Sequence, residues 1–305
     1  MKKEGLLSII LPAFNEEKII KKAANVIGSI LNGASIPYEI IFVDDGSKDD
    51  TWNQIEAVSK EDEHIVGIHF SRNFGKESAL FAGLANANGD CCAVMDCDLQ
   101  HPPEVLVEMY RLWQQGYEVV EGVKHSRGKE SFLHKMSAGL FYKLISKAVK
   151  IDMSRASDFK LMDRQAVESL LNMPEKNAFF RALSSWIGYK TTSVEFDVRE
   201  REEGESKWST WSLVKYAITN IVAFSAAPMQ IVTILGVIVF ILAIQTIVKF
   251  CMGHAVAGFT TVILLVLMIG SIIMMSLGII GYYIAKIYEE VKGRPRYLIS
   301  KKVGK

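Results

Sequence analysis

The chain has 305 residues, 50% of them hydrophobic, and a formal net charge of +1, which argues against a nucleic-acid-binding domain with its strongly basic face. Its cysteines, Cys91, Cys92, Cys97 and Cys251, form no CxxC pair and have no histidine-rich partner. That pattern supports neither a zinc site nor a disulfide framework, and a reduced, cytoplasmic setting is expected. Charges recur every few residues up to about Lys207, whereas between Pro228 and Lys286 only Lys249 and His254 interrupt an apolar stretch. This is the composition of a soluble domain, 1–207, joined to a membrane anchor.

Met1 to Gly5 leads straight into an apolar run at 6–12, so no signal peptide is expected and the run suits a buried parallel strand. A helical pattern follows over about 16–32. A second strand starts at Glu39 and ends in the acidic turn Asp44-Asp45-Gly46-Ser47. Asp49, Asp50 and Thr51 then offer N-capping side chains for another helix. A third strand is predicted at 65–70, a third helix at 76–87 and a fourth strand at 91–96. After His101, Pro102 and Pro103 a helix runs to about Gln115, and a fifth strand occupies 117–122. Strands alternating with helices imply an α/β fold with a parallel, doubly wound sheet of nucleotide-binding type.

Residues 132–150 and 208–228 mix aromatic and aliphatic residues with lysines in a helical rhythm. The second of these carries Trp208 and Trp211 directly before the membrane segment, which suits an amphipathic interfacial helix. Two transmembrane helices are predicted, 229–252 and 256–285. Met229 to Val248 holds no charge and, at ~1.5 Å per residue, covers the ~30 Å hydrocarbon core. The tail, 286–305, carries Lys286, Lys292, Arg294, Arg296, Lys301, Lys302 and Lys305 against Glu289 and Glu290. A basic flank of that kind, on a hairpin with both ends on one side, places the tail and the preceding domain in the cytoplasm.

Asp96 and Asp98 stand where the fourth strand runs out, at the edge where open α/β sheets bind ligands. Residues i and i+2 of extended backbone face one side, so both carboxylates, with Gln100 beyond them, suit a hard divalent cation bridging to diphosphate oxygens. The alternative for Asp98 is a cap for the helix near Pro102. Asp44 and Asp45 end the second strand at the same edge. They can accept hydrogen bonds from ribose hydroxyls or a base N–H, or simply make an Asp-Gly turn.

Pro12 to Glu16, Val43 to Ser47, Arg72 to Lys76 and Met95 to Gln100 occur in order. They resemble the successive motifs of the inverting family 2 glycosyltransferases of GT-A fold. Ala156 to Asp163 and Arg199 to Trp208 resemble the polyisoprenyl-phosphate branch, relatives of dolichyl-phosphate mannose synthase. The two-helix anchor is similar to the bacterial subgroup that loads glucose or related sugars onto undecaprenyl phosphate. The resemblance implies that Pro12, Phe14, Glu16, Asp44, Asp45, Lys76 and Asp96 line the nucleotide-sugar pocket. It implies Asp96, Asp98 and Gln100 as ligands of Mg²⁺ or Mn²⁺, and Asp158 as the catalytic carboxylate. Arg127, Arg199, Arg201 and Lys207 would meet the lipid phosphate, bidentate arginine–phosphate pairing being what that substrate asks for. The alternative for Arg199 and Arg201 is a solvated charge run among Glu200, Glu202, Glu203 and Glu205. The implied partners are a UDP-sugar, polyprenyl phosphate, membrane lipids and a second copy of the chain.

A nucleoside diphosphate leaving group calls for cationic stabilisation. The nucleophile, a phosphate oxygen, is already largely ionised at neutral pH. Asp158 is therefore expected to orient the acceptor or stabilise the oxocarbenium character, not to act as a strong base. A processive polysaccharide synthase shares the fold and metal motif but carries Gln-x-x-Arg-Trp where this chain has Phe179 to Trp186 without it. A decayed, non-enzymatic scaffold is at odds with the intact Asp96, Asp98 and Asp158.

Overall fold

The computed structural model describes residues 4–125, 157–175, 179–197, 227–252 and 259–304. These fall into two compact units, Met1–Trp208 with Arg294–Lys305, and Ser209–Gly293.

The first unit begins with β1 (Leu7–Ala13), α1 (Ile20–Gly33), β2 (Tyr38–Asp44), α2 (Thr51–Glu61), β3 (Ile65–Phe70), α3 (Lys76–Asn86), β4 (Cys91–Val94) and α4 (Val105–Gln114). It continues with β5 (Val119–Lys124), β6 (Lys160–Asp163), α5 (Arg164–Leu171), α6 (Phe180–Trp186) and β7 (Thr191–Phe196). The C-terminal β8 (Ile299–Val303) also belongs to it. All eight strands form one sheet in the order β7-β5-β6-β4-β1-β2-β3-β8.

Leu7, Ile9, Ile10 and Leu11 of β1 and Ile40, Ile41, Phe42 and Val43 of β2 are wholly inaccessible, as strands covered on both faces must be. Strands β3, β2, β1 and β4 run parallel. The chain winds from β1 outward to β2 and β3, then returns to β1's other side with β4. Such a reversal leaves a crevice at the carboxyl ends of β1 and β4. Helix α3 lies close on the sheet because Gly83 faces Ile10; a Cβ there would collide with that side chain.

The alternating elements expected from the sequence are present, with β5 displaced to Val119–Lys124. Gly116, at φ 92, turns the chain after α4, and Glu118 and Val119 donate their N–H groups to Lys190 O. Three strands escaped the sequence pattern. β6 pairs antiparallel with both β4 and β5, making the sheet mixed, and β7 runs parallel to β5. β8 pairs antiparallel with β3, so part of the presumed basic tail is an edge strand. Tyr297 stacks on Phe70 at 5.1 Å, Ser71 N–H donates to Leu298 O, and Arg296 lies over Phe81 while donating to Met173 O.

The second unit contains α7 (Ala227–Cys251) and α8 (Phe259–Val291), packed on one another. Within α8, Met268–Val291 is long and apolar enough to cross a membrane by length and composition. Among the described residues it is the one such segment. Phe240, Met274 and Ile284 are each at least 60% exposed, an apolar surface of the kind that marks a lipid or protein contact. The interfacial helix expected at 208–228 lies, up to residue 226, outside the described residues, as does the pattern at 132–150.

Candidate active site

The crevice is floored by loops that are tied to one another before any ligand enters. After β1, Asn15 adopts a left-handed φ of 55. Its N–H donates to Ser47 Oγ (2.9 Å), and its Oδ1 accepts from Lys48 N–H (2.9 Å). Glu16 N–H donates to Thr51 Oγ1 at 2.8 Å. Asp44, fully buried, accepts from Ser47 N–H at 2.9 Å and pairs with His69 Nδ1 at 2.7 Å. Asp45 accepts from Phe74 N–H at 2.6 Å and from Gly75 N–H at 2.9 Å. Burial raises the Asp45 pKa, and the two N–H groups only partly oppose it. Gly46, at φ 69, lets the two loops touch: a Cβ there would strike the backbone of Arg72 and Asn73. The structure thus brings the expected pocket residues Phe14, Glu16, Asp44 and Asp45 to one rim, with Pro12 beside Val43 in the β1–β2 register. As placed, both carboxylates shape loops.

A charge cluster begins directly after the loop that Asp45 holds. Lys76, the first residue of α3, reaches Asp96 Oδ1 at 2.5 Å and Asp158 Oδ2 at 3.7 Å. Burial alone would lower the Lys76 pKa, but Asp96 and Asp158 outweigh it and raise it. Asp158 accepts from Arg181 Nε at 3.1 Å and Nη2 at 2.8 Å, a bidentate pair. Burial pushes its pKa up, yet Arg181, Lys76 and Lys160 together bring it down to about 2. The segment carrying Asp158 is pinned on both sides by Glu121 of β5, which accepts from Ser157 N–H at 3.0 Å and from Lys160 Nζ at 2.8 Å. Lys160 is wholly buried and also donates to Ser184 Oγ at 2.6 Å. Glu77 accepts from Phe180 N–H at 2.9 Å. Burial and the nearby Asp158 raise its pKa to about 7.

Asp98 accepts from Gln100 N–H at 3.1 Å, and Leu99 between them has φ 55. Asp96 and Asp98 offer hard carboxylate oxygens and Gln100 an amide oxygen, a donor set that fits Mg²⁺ or Mn²⁺ once diphosphate and water complete the shell. Among the described residues no three His, Cys, Asp or Glu side chains converge as a ready-made metal cage. Next to this loop His101 stacks on Phe159 at 4.9 Å with its Nδ1 buried and unpartnered, and burial lowers its pKa.

Lys76, Asp96 and Asp158, three of the residues expected from sequence, therefore meet in space. Arg127, Arg199, Arg201 and Lys207 lie outside the described residues. Sequence reasoning missed Glu77, Glu121, Lys160 and Arg181. Two of them carried a signal: Lys160 interrupts Phe159 and Leu161, and Arg181 interrupts the apolar run from Phe179 to Leu183. A charge inside a buried run needs a partner of opposite sign.

The glycosyl transferase family 2 profile matches residues 8–171. Full-length relatives share over a third of their residues with this chain. An uncharacterised glycosyltransferase of Synechocystis sp., sll0501, is 38% identical over 96% of this chain and 94% of its own length. CsbB of Bacillus subtilis, provisionally named a glycosyltransferase, is 39% identical over 98% of this chain and 92% of its own. A protein of Escherichia coli named as a prophage bactoprenol glucosyl transferase homolog is 37% identical over 97% of this chain and 98% of its own.

Proposed function

This chain belongs to glycosyl transferase family 2, and from that premise we propose that it transfers glucose from UDP-glucose to a polyprenyl phosphate at the cytoplasmic membrane face, inverting the anomeric centre. The acceptor is read from the bactoprenol-glucosylating name of its Escherichia coli relative, matched along almost the whole chain. The observation that carries the chemistry is Asp158, a carboxylate held ionised between Arg181 and Lys76 beside Asp96 at the sheet's ligand-binding edge. Helices α7 and α8 cross the membrane as a hairpin and keep the catalytic unit where a lipid phosphate is presented; the apolar segment Met268–Val291 supports the second crossing.

The division of labour follows from charge. Asp96, Asp98 and Gln100 would hold Mg²⁺ or Mn²⁺, which would supply charge stabilisation to the departing diphosphate. Lys76 adds a fixed positive charge at the same edge. A carboxylate with a pKa of about 2 is a poor proton acceptor at neutral pH. Asp158 therefore serves by position and negative charge, which suits an acceptor already ionised. In that role its negative charge favours the sugar carbon as positive character develops there.

The test is transfer of labelled glucose from UDP-glucose to undecaprenyl phosphate by the purified protein in detergent, with and without EDTA. A glucosyl lipid that forms only with the divalent ion is the expected result. A labelled polymer, or no lipid product from any nucleotide-sugar, overturns the reading.

A further inference from the structure

Asp158 is gripped by side chains of two different helices. Arg181 of α6 makes two hydrogen bonds to its carboxylate, at 3.1 and 2.8 Å. A planar fork of this kind fixes the orientation of a carboxylate as well as its place, which the point charge of Lys76 at 3.7 Å does not. Helix α6 is short, and its start at Phe179 has no side-chain cap of its own. The first free N–H, that of Phe180, goes instead to Glu77 of α3 at 2.9 Å. Phe81 of α3 meets Phe180 edge to face at 6.4 Å, tying the same two helices by an apolar contact. Arg181 is the next residue along, and its carbonyl oxygen accepts from Ser185 Oγ at 3.0 Å. One turn of α3 thus addresses Asp158 twice, directly through Lys76 and indirectly through Glu77, Phe180 and Arg181.

We propose that Glu77 and Arg181 are positioning residues for the transfer reaction: Glu77 caps the start of α6, and Arg181 locks Asp158 in its reactive orientation. This rests on Asp158 acting at the reacting centre, as argued above. The other charged groups around the carboxylate do different work. Lys160 is taken up by Glu121 and Ser184, and Lys76 is shared with Asp96. Neither can replace a lost fork.

The experiment uses the full chain in detergent, with transfer to undecaprenyl phosphate and hydrolysis of UDP-glucose by water measured side by side. Arg181→Ala should lower kcat about 100-fold, the scale on which a misplaced reacting group matters, with donor KM little changed. Added guanidinium ion should restore part of that loss. Arg181→Lys should fall between, since it keeps the charge without the fork. Glu77→Ala should lower kcat about tenfold, roughly what one lost hydrogen bond to a charged group is worth. Glu77→Gln, which still accepts from Phe180 N–H, should lose clearly less than Glu77→Ala. Wild-type kcat in Arg181→Ala, or a loss that merely tracks the fraction folded and ignores guanidinium, would overturn the Arg181 assignment. Equal losses in Glu77→Gln and Glu77→Ala would overturn the capping role. If the wild type hydrolyses UDP-glucose but glucosylates no lipid, the proposed acceptor is wrong. The effects on hydrolysis still decide the positioning claim.

Discussion

Two sets of carboxylates, Asp44 with Asp45 and Asp158, are held in opposite ways. Asp44 and Asp45 take backbone N–H groups and one imidazole, all within the 45–75 stretch. Asp158 takes the side chains of Lys76 and Arg181 from two separate helices. The electrostatic outcome differs accordingly. Burial raises the Asp45 pKa because neutral N–H dipoles compensate it only in part, whereas full cations overcome burial at Asp158 and leave it at about 2. Dipoles shape a loop around a substrate; paired charges set the state of a reacting group.

The sharpest way to break this contrast is Asp158→Asn. The amide keeps the size but loses the charge, leaving Arg181 and Lys76 partly unpaired in a half-buried site. We expect kcat to fall by about 100-fold or more, with donor KM changed little, since the role proposed for Asp158 is at the transition state and not at the nucleotide. Steady-state kinetics with varied UDP-glucose decides it. Loss of donor binding at normal turnover would move Asp158 to the nucleotide side.

A smaller effect, on a different constant, is expected from Asp45→Ala. Phe74 and Gly75 N–H lose their acceptor and the loop leading to Lys76 loosens, so donor KM should rise about tenfold and stability drop by ~1–3 kcal/mol. Asp45→Asn should rescue little, because the Phe74 and Gly75 N–H groups go to different carboxylate oxygens, and one of these becomes an NH₂ that faces a donor. A fall in kcat at constant KM would erase the distinction between the two sides.

That distinction also explains what was legible in the sequence. Each feature of the Asp44–Asp45 side is local: an apolar strand, a polar turn, a glycine. Asp44 to Ser47 or Arg72 to Lys76 can thus be recognised as words. The central parallel strands were legible for the same reason, as continuous apolar runs. The Asp158 side is assembled from residues 76, 121, 158, 160 and 181, and only the antiparallel insertion of β6 between β4 and β5 brings them together. Neither Lys160 nor Arg181 looks like a site residue until its acid partner is known. β8 was hidden for another reason: an edge strand exposed along nearly its whole length reads Ile-Ser-Lys-Lys-Val, which in composition is a basic tail.

The smallest predicted effect is a pH dependence that separates the two carboxyls behind the lock. Asp158 has a folded pKa near 2, below its ordinary 3.8. Its contribution to stability is complete above that ordinary value and is lost as pH falls through it toward 2. Glu77 has a folded pKa near 7, above its ordinary 4.5. The folded protein therefore binds more protons than the unfolded chain between those values, and stability declines as pH rises from about 4.5 to about 7, then levels. The groups facing Glu77 are Asp158, Lys76 and Arg181. Asp158 and the two cations keep their charge throughout that window, while Asp45 and His101, shifted by burial, titrate alike in wild type and variant, so the part of the slope that Glu77→Gln removes belongs to Glu77. Melting curves of wild type and Glu77→Gln at intervals across pH 4.5 to 7 should show a decline that is shallower in the variant, since glutamine does not titrate. Parallel curves would mean that Glu77 is ionised in the folded protein across the whole window. The cap on α6 would then be a full negative charge opposite Arg181 and not a carboxyl that shares its proton with solvent near neutrality.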